Sequence, residues 1–196
     1  LVCADCGSKL RAEAEAVLFV CPCCGLVHEP TAEGLRRVPP LVAAVTSQTA
    51  ERTPESYLAV WEVLVSFTGD RRRRIFVPAF SLARSVVERL GVRLTQKAPA
   101  LVALEFPQHP GSTAAADARL FSQILLGRQD ARTLSRFVEV ALWLREHGDG
   151  GAAPTPDDRL EVCDERLVYL PALCDPRCIH DADWRLLLRE FDEPRR

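Results

Sequence analysis

Two pairs of cysteines carry the clearest chemistry in the chain. Cys3 with Cys6 and Cys21 with Cys24 are Cys-x-x-Cys pairs, and a glycine, Gly7 or Gly25, follows each. Two residues between thiolates let both sulfurs meet one ion from a tight turn, and the glycine takes the positive φ that closes it. Two such turns complete a tetrahedral set, so the four cysteines are read as ligands of a single structural ion. Four sulfurs point to zinc, with rubredoxin-like iron the less favoured occupant. They leave no open position for a substrate water. Pro22 and Gly25 place the second pair at Cys21 and Cys24, which leaves Cys23 a spare thiol, and His28 is the other candidate nearby.

Val17 to Val20 form a short β-run that would carry the second turn back against the first. Together with CADCG and CPCCG, this run resembles the zinc-ribbon superfamily over roughly the first 30 residues. The resemblance implies a small β fold with structural zinc. Such modules serve transcription factors, ribosomal proteins, enzymes and assembly scaffolds alike, so it implies no single function. In a unit this small the ion itself makes folding favourable.

A second set with metal-ligand character is Cys163, Cys174, Cys178 and His180. The gap between Cys174 and Cys178 is looser than a knuckle and holds Pro176, and free cysteines are commonly buried as small hydrophobes, so packing is the favoured role. His180, Asp181 and Asp183 suggest acid/base work, but an acidic pair before Trp184 is more simply the N-terminal charge of a helix. Arg71, Arg72, Arg73 and Arg74 form the sharpest run of charge, suited to phosphates or to an acidic partner at a hairpin tip. No aromatic residue is interleaved with them, and a solvated turn is the plain alternative. His109 and His147 have no local partner for nucleophilic catalysis. The sequence contains no Gly-x-Ser-x-Gly, phosphate loop, Gly-x-Gly-x-x-Gly or His-Glu-x-x-His motif.

The elements that must position these groups read as an α+β arrangement. Residues 1–30 form the zinc ribbon. Residues 31–54, with Pro30, Pro39, Pro40 and Pro54 in and around them and an apolar run from Leu41 to Val45, form a proline-rich linker able to let the ribbon reach a partner. Residues 55–196 form the body. Tyr57 to Phe67 alternates as a strand, with Glu62 and Ser66 on its polar side, and Ile75 to Phe80 returns as its hairpin partner. A helix from Ser81 to Leu90 stops at Gly91. Further helices are expected over Thr113 to Leu126, over Ala131 to His147 (capped by Asp130 and ended by Gly148), and over Trp184 to Phe191, about four in all. Arg159 to Cys163 and Arg166 to Leu173 read as a second hairpin turning at Asp164-Glu165. VYLPAL there echoes IFVPAF in the first, which leaves a degenerate hairpin-helix repeat and recurrent hairpin chemistry both open. A proline at that point would end a strand or sit at an edge.

The whole chain has 196 residues, 47% hydrophobic and 27% charged, a globular composition with material for one or two domains. The formal charge of −2 argues against a general polyanion binder, although only Lys9 and Lys97 among the 25 basic residues are lysines. No run of about 18 apolar residues would span a bilayer, and Leu1 to Leu10 lack the blocks of a signal peptide, so a soluble cytoplasmic protein is expected. Eight cysteines spaced as metal pairs fit that compartment better than disulfides do. By elimination the expected function is non-catalytic: a zinc-binding accessory or scaffold subunit of a bacterial or archaeal multiprotein assembly, with protein partners. The alternatives are a nucleic-acid adaptor using the ribbon and the Arg71 to Arg74 tip, and a metalloenzyme built on Cys163, Cys174, Cys178 and His180.

Overall fold

The computed structural model describes residues 1–10, 15–44, 56–66, 72–80, 84–103, 122–148, 160–175, 178–181 and 186–189. In chain order they form β1 (Phe19–Val20), β2 (Val27–Thr31), β3 (Gly34–Val38), β4 (Leu41–Ala43), β5 (Ser56–Ser66), β6 (Arg72–Pro78), α1 (Arg84–Gln96), β7 (Leu101–Ala103), α2 (Arg128–His147), β8 (Glu161–Asp175), β9 (Cys178–Asp181) and β10 (Leu186–Arg189). Helices and strands are mixed and sheet predominates. β1, β2 and β3 make a three-stranded antiparallel sheet, and the other strands make a seven-stranded one.

The large sheet is organised around β8. One edge of β8 carries β5 along almost its full length, with β6 beyond. The other edge carries β4 in parallel, with β7 beyond, and then β9 and β10. Alternation in β5 is as the sequence suggests, but both of its faces are covered. Ala59, Trp61, Val63 and Val65 join Ile75, Val77, Leu167 and Tyr169 in one core, with Val138 and Leu142 of α2 over them. Leu58 and Val60 join Phe76, Val168 and Leu170 in a second core under Val86, Leu90 and Leu94 of α1. Glu62, on the face read as polar, is only 2% exposed. It survives there because Arg166 lies directly opposite on β8 and donates its Nε–H to the carboxylate (2.7 Å), while Arg74 stands 3.3 Å away on β6.

Several expected elements differ. Two helices, not about four, occur among the described residues. α1 runs through Gly91 to Gln96, because that glycine serves a close approach and not a stop. Of the expected helix ending at Leu126, residues 122–126 are described and are not helical. Their backbone groups are used elsewhere: Ser122 N–H donates to the Tyr57 carbonyl (2.8 Å), Leu125 N–H to Ala79 (2.7 Å), and the Ile124 carbonyl accepts from Val17 (2.9 Å). Leu186–Arg189 is a strand paired to β9, a reminder that short apolar runs have no distinctive period. The expected hairpin at Asp164-Glu165 is a continuous strand, and Cys163 falls at a register shift opposite Leu64 and Val65. Glu165 is held instead by the Arg132 guanidinium. Pro171 lies inside β8, where the outer edge passes from β4 to β9 and a missing N–H does least harm. α2 matches its expected span to within three residues and ends at Gly148, φ 68°. Asp130 sits inside its first turn, accepting the Gly127 N–H at 3.0 Å.

The N-terminal sheet is fastened to this body. β3 and β4 occupy part of the segment read as a linker. Leu18, Val27 and Val38 are buried in the same core as Trp61 and Ile124, Leu18 bridges to Ile124, and Glu29 pairs with Arg128 at 3.2 Å. Arg128 also lies over the Trp61 ring, whose Nε1–H donates to the Leu126 carbonyl. A module held in this way is a wedge in the fold and not an arm extended from it.

Candidate metal centre

The two cysteine turns are copies of one geometry. In the first, Cys3 N–H donates to the Ser8 carbonyl (2.9 Å) and Gly7 N–H to the Cys3 carbonyl (3.0 Å). In the second, Cys21 N–H donates to Leu26 (2.8 Å) and Gly25 N–H to Cys21 (2.9 Å). Gly7 and Gly25 take φ of 73° and 72°, the left-handed conformation the turn requires. The two residue pairs of β1 with β2, Phe19 with His28 and Val20 with Val27, close the base of the second turn, and the bridge between Val2 and Lys9 closes the base of the first.

The Sγ atoms of Cys3, Cys6, Cys21 and Cys24 all lie within 4.8 Å of one another. Cys3 stands 3.7 Å from Cys24 and Cys6 3.5 Å from Cys21. Metal-sulfur bonds of about 2.3 Å in a tetrahedron give sulfur-sulfur edges of about 3.8 Å, so the donor set fits a thiolate-bound ion. Cys3 and Cys21 are buried, Cys6 and Cys24 partly exposed, and Cys23 is exposed and outside the group. Burial pushes the thiols of Cys21 and Cys24 above the usual range, whereas hydrogen bonds from the Ser8 side chain and backbone pull Cys6 down to about 6. A divalent cation would supply the charge that lets the thiols of Cys21 and Cys24 ionise against that burial.

His28 and Asp5 also face this centre. Cys3, Asp5 and His28 form a second group of donor atoms within 4.8 Å, sharing the Cys3 sulfur. His28 was legible as a nearby candidate. Asp5 was not singled out, although its place inside the first Cys-x-x-Cys turn was the available signal.

Cys163 stands apart from the rest of the second cysteine set. Cys163 and Cys174 stand eleven positions apart on β8, about 36 Å of extended strand, so Cys163 does not share a site with Cys174, Cys178 or His180. The backbone register pairs Cys174 with Ile179, Leu173 with His180 and Asp175 with Cys178. Of the arginine run, Arg71 lies outside the described residues and Arg72 to Arg74 belong to β6. Arg73 reaches Glu139 (3.3 Å) and Glu146 (3.2 Å) on α2, and Arg74 reaches Glu62, so two of these guanidinium groups are engaged with the chain's own carboxylates. His109 lies outside the described residues. His147 stacks on Trp143 at the end of α2.

The Arg73 pair gives a pH prediction. Burial raises the Glu139 pKa, Arg73 opposes that shift and Glu146 adds to it. The folded state thus holds this proton to higher pH than the unfolded state does, so the contribution of Glu139 to stability falls as pH rises from roughly 4 through the raised value. In urea unfolding across that range, wild type should lose stability relative to Glu139→Gln as pH rises. A difference independent of pH would contradict the shift.

No family model, curated protein or solved structure matches the chain. No helix among the described residues is long and apolar enough to cross a membrane.

Proposed function

We propose that the chain is a non-catalytic, cytoplasmic zinc-binding protein. Cys3, Cys6, Cys21 and Cys24 hold one structural zinc ion in a ribbon-type module, and the α+β body serves as an accessory or scaffold subunit of a multiprotein assembly. The observation that supports this reading is the meeting of four sulfurs at tetrahedral spacing on two matched turns. Four thiolates on one ion leave no coordination position for substrate, so the ion's contribution is to folding. Seating of the module in the main core fits the same role, because the ion then fixes one end of a docking body.

Elemental analysis of natively purified protein tests this, with co-purifying proteins and nucleic acid identified in the same sample. One zinc per chain is expected, lost in Cys3→Ser or Cys21→Ser, together with protein partners in stoichiometric amount. Iron in place of zinc, or two ions per chain, would displace the metal assignment. A chain that stays monomeric in native lysate at every salt concentration would remove the scaffold role.

A further inference from the structure

His28 belongs to β2, and the β2–β3 ladder sets it directly opposite Arg37. The ring is 1% exposed, and its Nε2 lies 3.2 Å from the Cys3 sulfur. The nearest carboxylate oxygen, from Asp5, is 3.9 Å from the same nitrogen, too long for a hydrogen bond, and the other Asp5 oxygen faces Arg37 at 3.6 Å. Nδ1 is buried with no hydrogen-bond partner. A neutral imidazole carries one N–H and one lone pair. With the proton on Nε2, the N–H meets a sulfur acceptor and only a lone pair is left bare. The other tautomer would bury an unpaired N–H at Nδ1 and turn a nitrogen lone pair onto an electron-rich sulfur.

We infer that His28 is a positioning residue of the metal centre, donating its Nε2–H to the Cys3 thiolate, and this rests on the reading that the four sulfurs hold a metal. Four thiolates around a divalent ion carry two surplus negative charges in a partly buried site, and a donor at one sulfur withdraws part of that charge. The bond also fixes the Cys3 sulfur in the geometry that the ion needs, as outer partners of metal ligands commonly do. Asp5 and Arg37 act behind it, their ion pair lying beside the Nε2 edge of the ring.

Cobalt(II) bound to the full chain is the probe, because its sulfur-to-metal charge-transfer band reports the electron richness of the thiolates. His28→Leu removes the donor, so the band should move to longer wavelength and cobalt affinity should fall about 10- to 100-fold. His28→Gln places an amide N–H near the position of Nε2 and should restore both. His28→Asn places it near Nδ1 and should restore neither. Where the leucine variant does not fold, the comparison of Gln with Asn carries the test. Wild type binding cobalt with four-sulfur absorption, and all variants absorbing at the same wavelength, would overturn the role of His28 and leave the metal site standing. A wild-type spectrum of mixed nitrogen and sulfur ligation that becomes purely sulfur in His28→Leu would overturn it by making His28 a ligand. Failure of wild type to bind cobalt or zinc at all would instead overturn the metal site itself.

Discussion

Stripping the metal with a strong chelator at neutral pH is expected to lower the unfolding midpoint of the whole chain, and to shift the emission of Trp61 to longer wavelength. Within itself the module has little else to hold it. Its own core is Cys3, Leu10, Phe19 and Cys21, two of them proposed ligands, and Leu10 and Phe19 contribute only about 1.5–3 kcal/mol each on burial. Ordering some thirty residues of backbone costs far more than that, at about 1–2 kcal/mol per residue. Without an ion, burial favours the thiol form of Cys21 and Cys24, and thiols do not tie the two turns together.

The loss then reaches the body, because Leu18, Val27 and Val38 leave a core they share with Trp61, Ile124 and Ala131. Three such side chains are together worth about 5 kcal/mol or more, comparable with the total stability of a typical domain. Trp61 is a direct reporter, being fully buried beneath Arg128, whose other contact is Glu29 on β2. A Trp143→Phe, Trp184→Phe background isolates its signal, and Cys21→Ser should reproduce the effect without chelator. If the cysteines became fully reactive to a thiol reagent while Trp61 emission and the midpoint stayed unchanged, the module would be energetically independent of the body.

What the sequence disclosed of this arrangement was its local part. The Cys-x-x-Cys-Gly turns depend on contacts within five residues, and α2 announces itself through an apolar period over Ala131 to His147 with terminal signals at Asp130 and Gly148. β5 was legible by alternation, yet not the burial of its second face, which depends on α1 and on Arg166 lying more than a hundred positions away. The Asp164-Glu165 pair looks like a turn until β5 templates a continuous β8 beside it. IFVPAF and VYLPAL resemble each other in a way the topology makes sensible, since Ile75 to Pro78 and Val168 to Ala172 flank β5 on opposite edges and meet similar demands. At the candidate metal centre the four clustered cysteines were visible and their surroundings were not. The approach of His28 to Cys3 depends on the β2–β3 register and on how the turns close, and neither is local.

Gly91→Ala is expected to destabilise the fold by about 1–3 kcal/mol, against the direction that helix propensity alone would give. In an open helix this change gains about 1 kcal/mol, because alanine is the better helix former. Here a Cβ at position 91 would stand 2.8 Å from the Phe76 carbonyl oxygen and 2.8 Å from a methyl of Val138. One neighbour is strand backbone and the other a stiff, buried, branched side chain, so neither yields easily. The contact has a purpose. Among the described residues β6 pairs with β5 on one edge only, and α1 covers the other at Phe76, where Thr95 Oγ1 accepts the Phe76 N–H at 3.0 Å. Gly91 and Thr95 are one helical turn apart, so the residue that lets α1 approach and the residue that satisfies the strand lie on the same face. An added methyl must push α1 away from β6 and α2 together, stretching that hydrogen bond and opening both cores between which the helix sits. Gly127→Ala is the control for overlap: its nearest side-chain atoms are 3.7 and 4.0 Å away, so it should cost less than Gly91→Ala, losing only the preference for glycine over alanine at the N-cap of α2. Urea unfolding of the two variants at one pH decides the matter. A Gly91→Ala protein more stable than wild type would mean that α1 relaxes freely and that the glycine is incidental to covering the sheet edge.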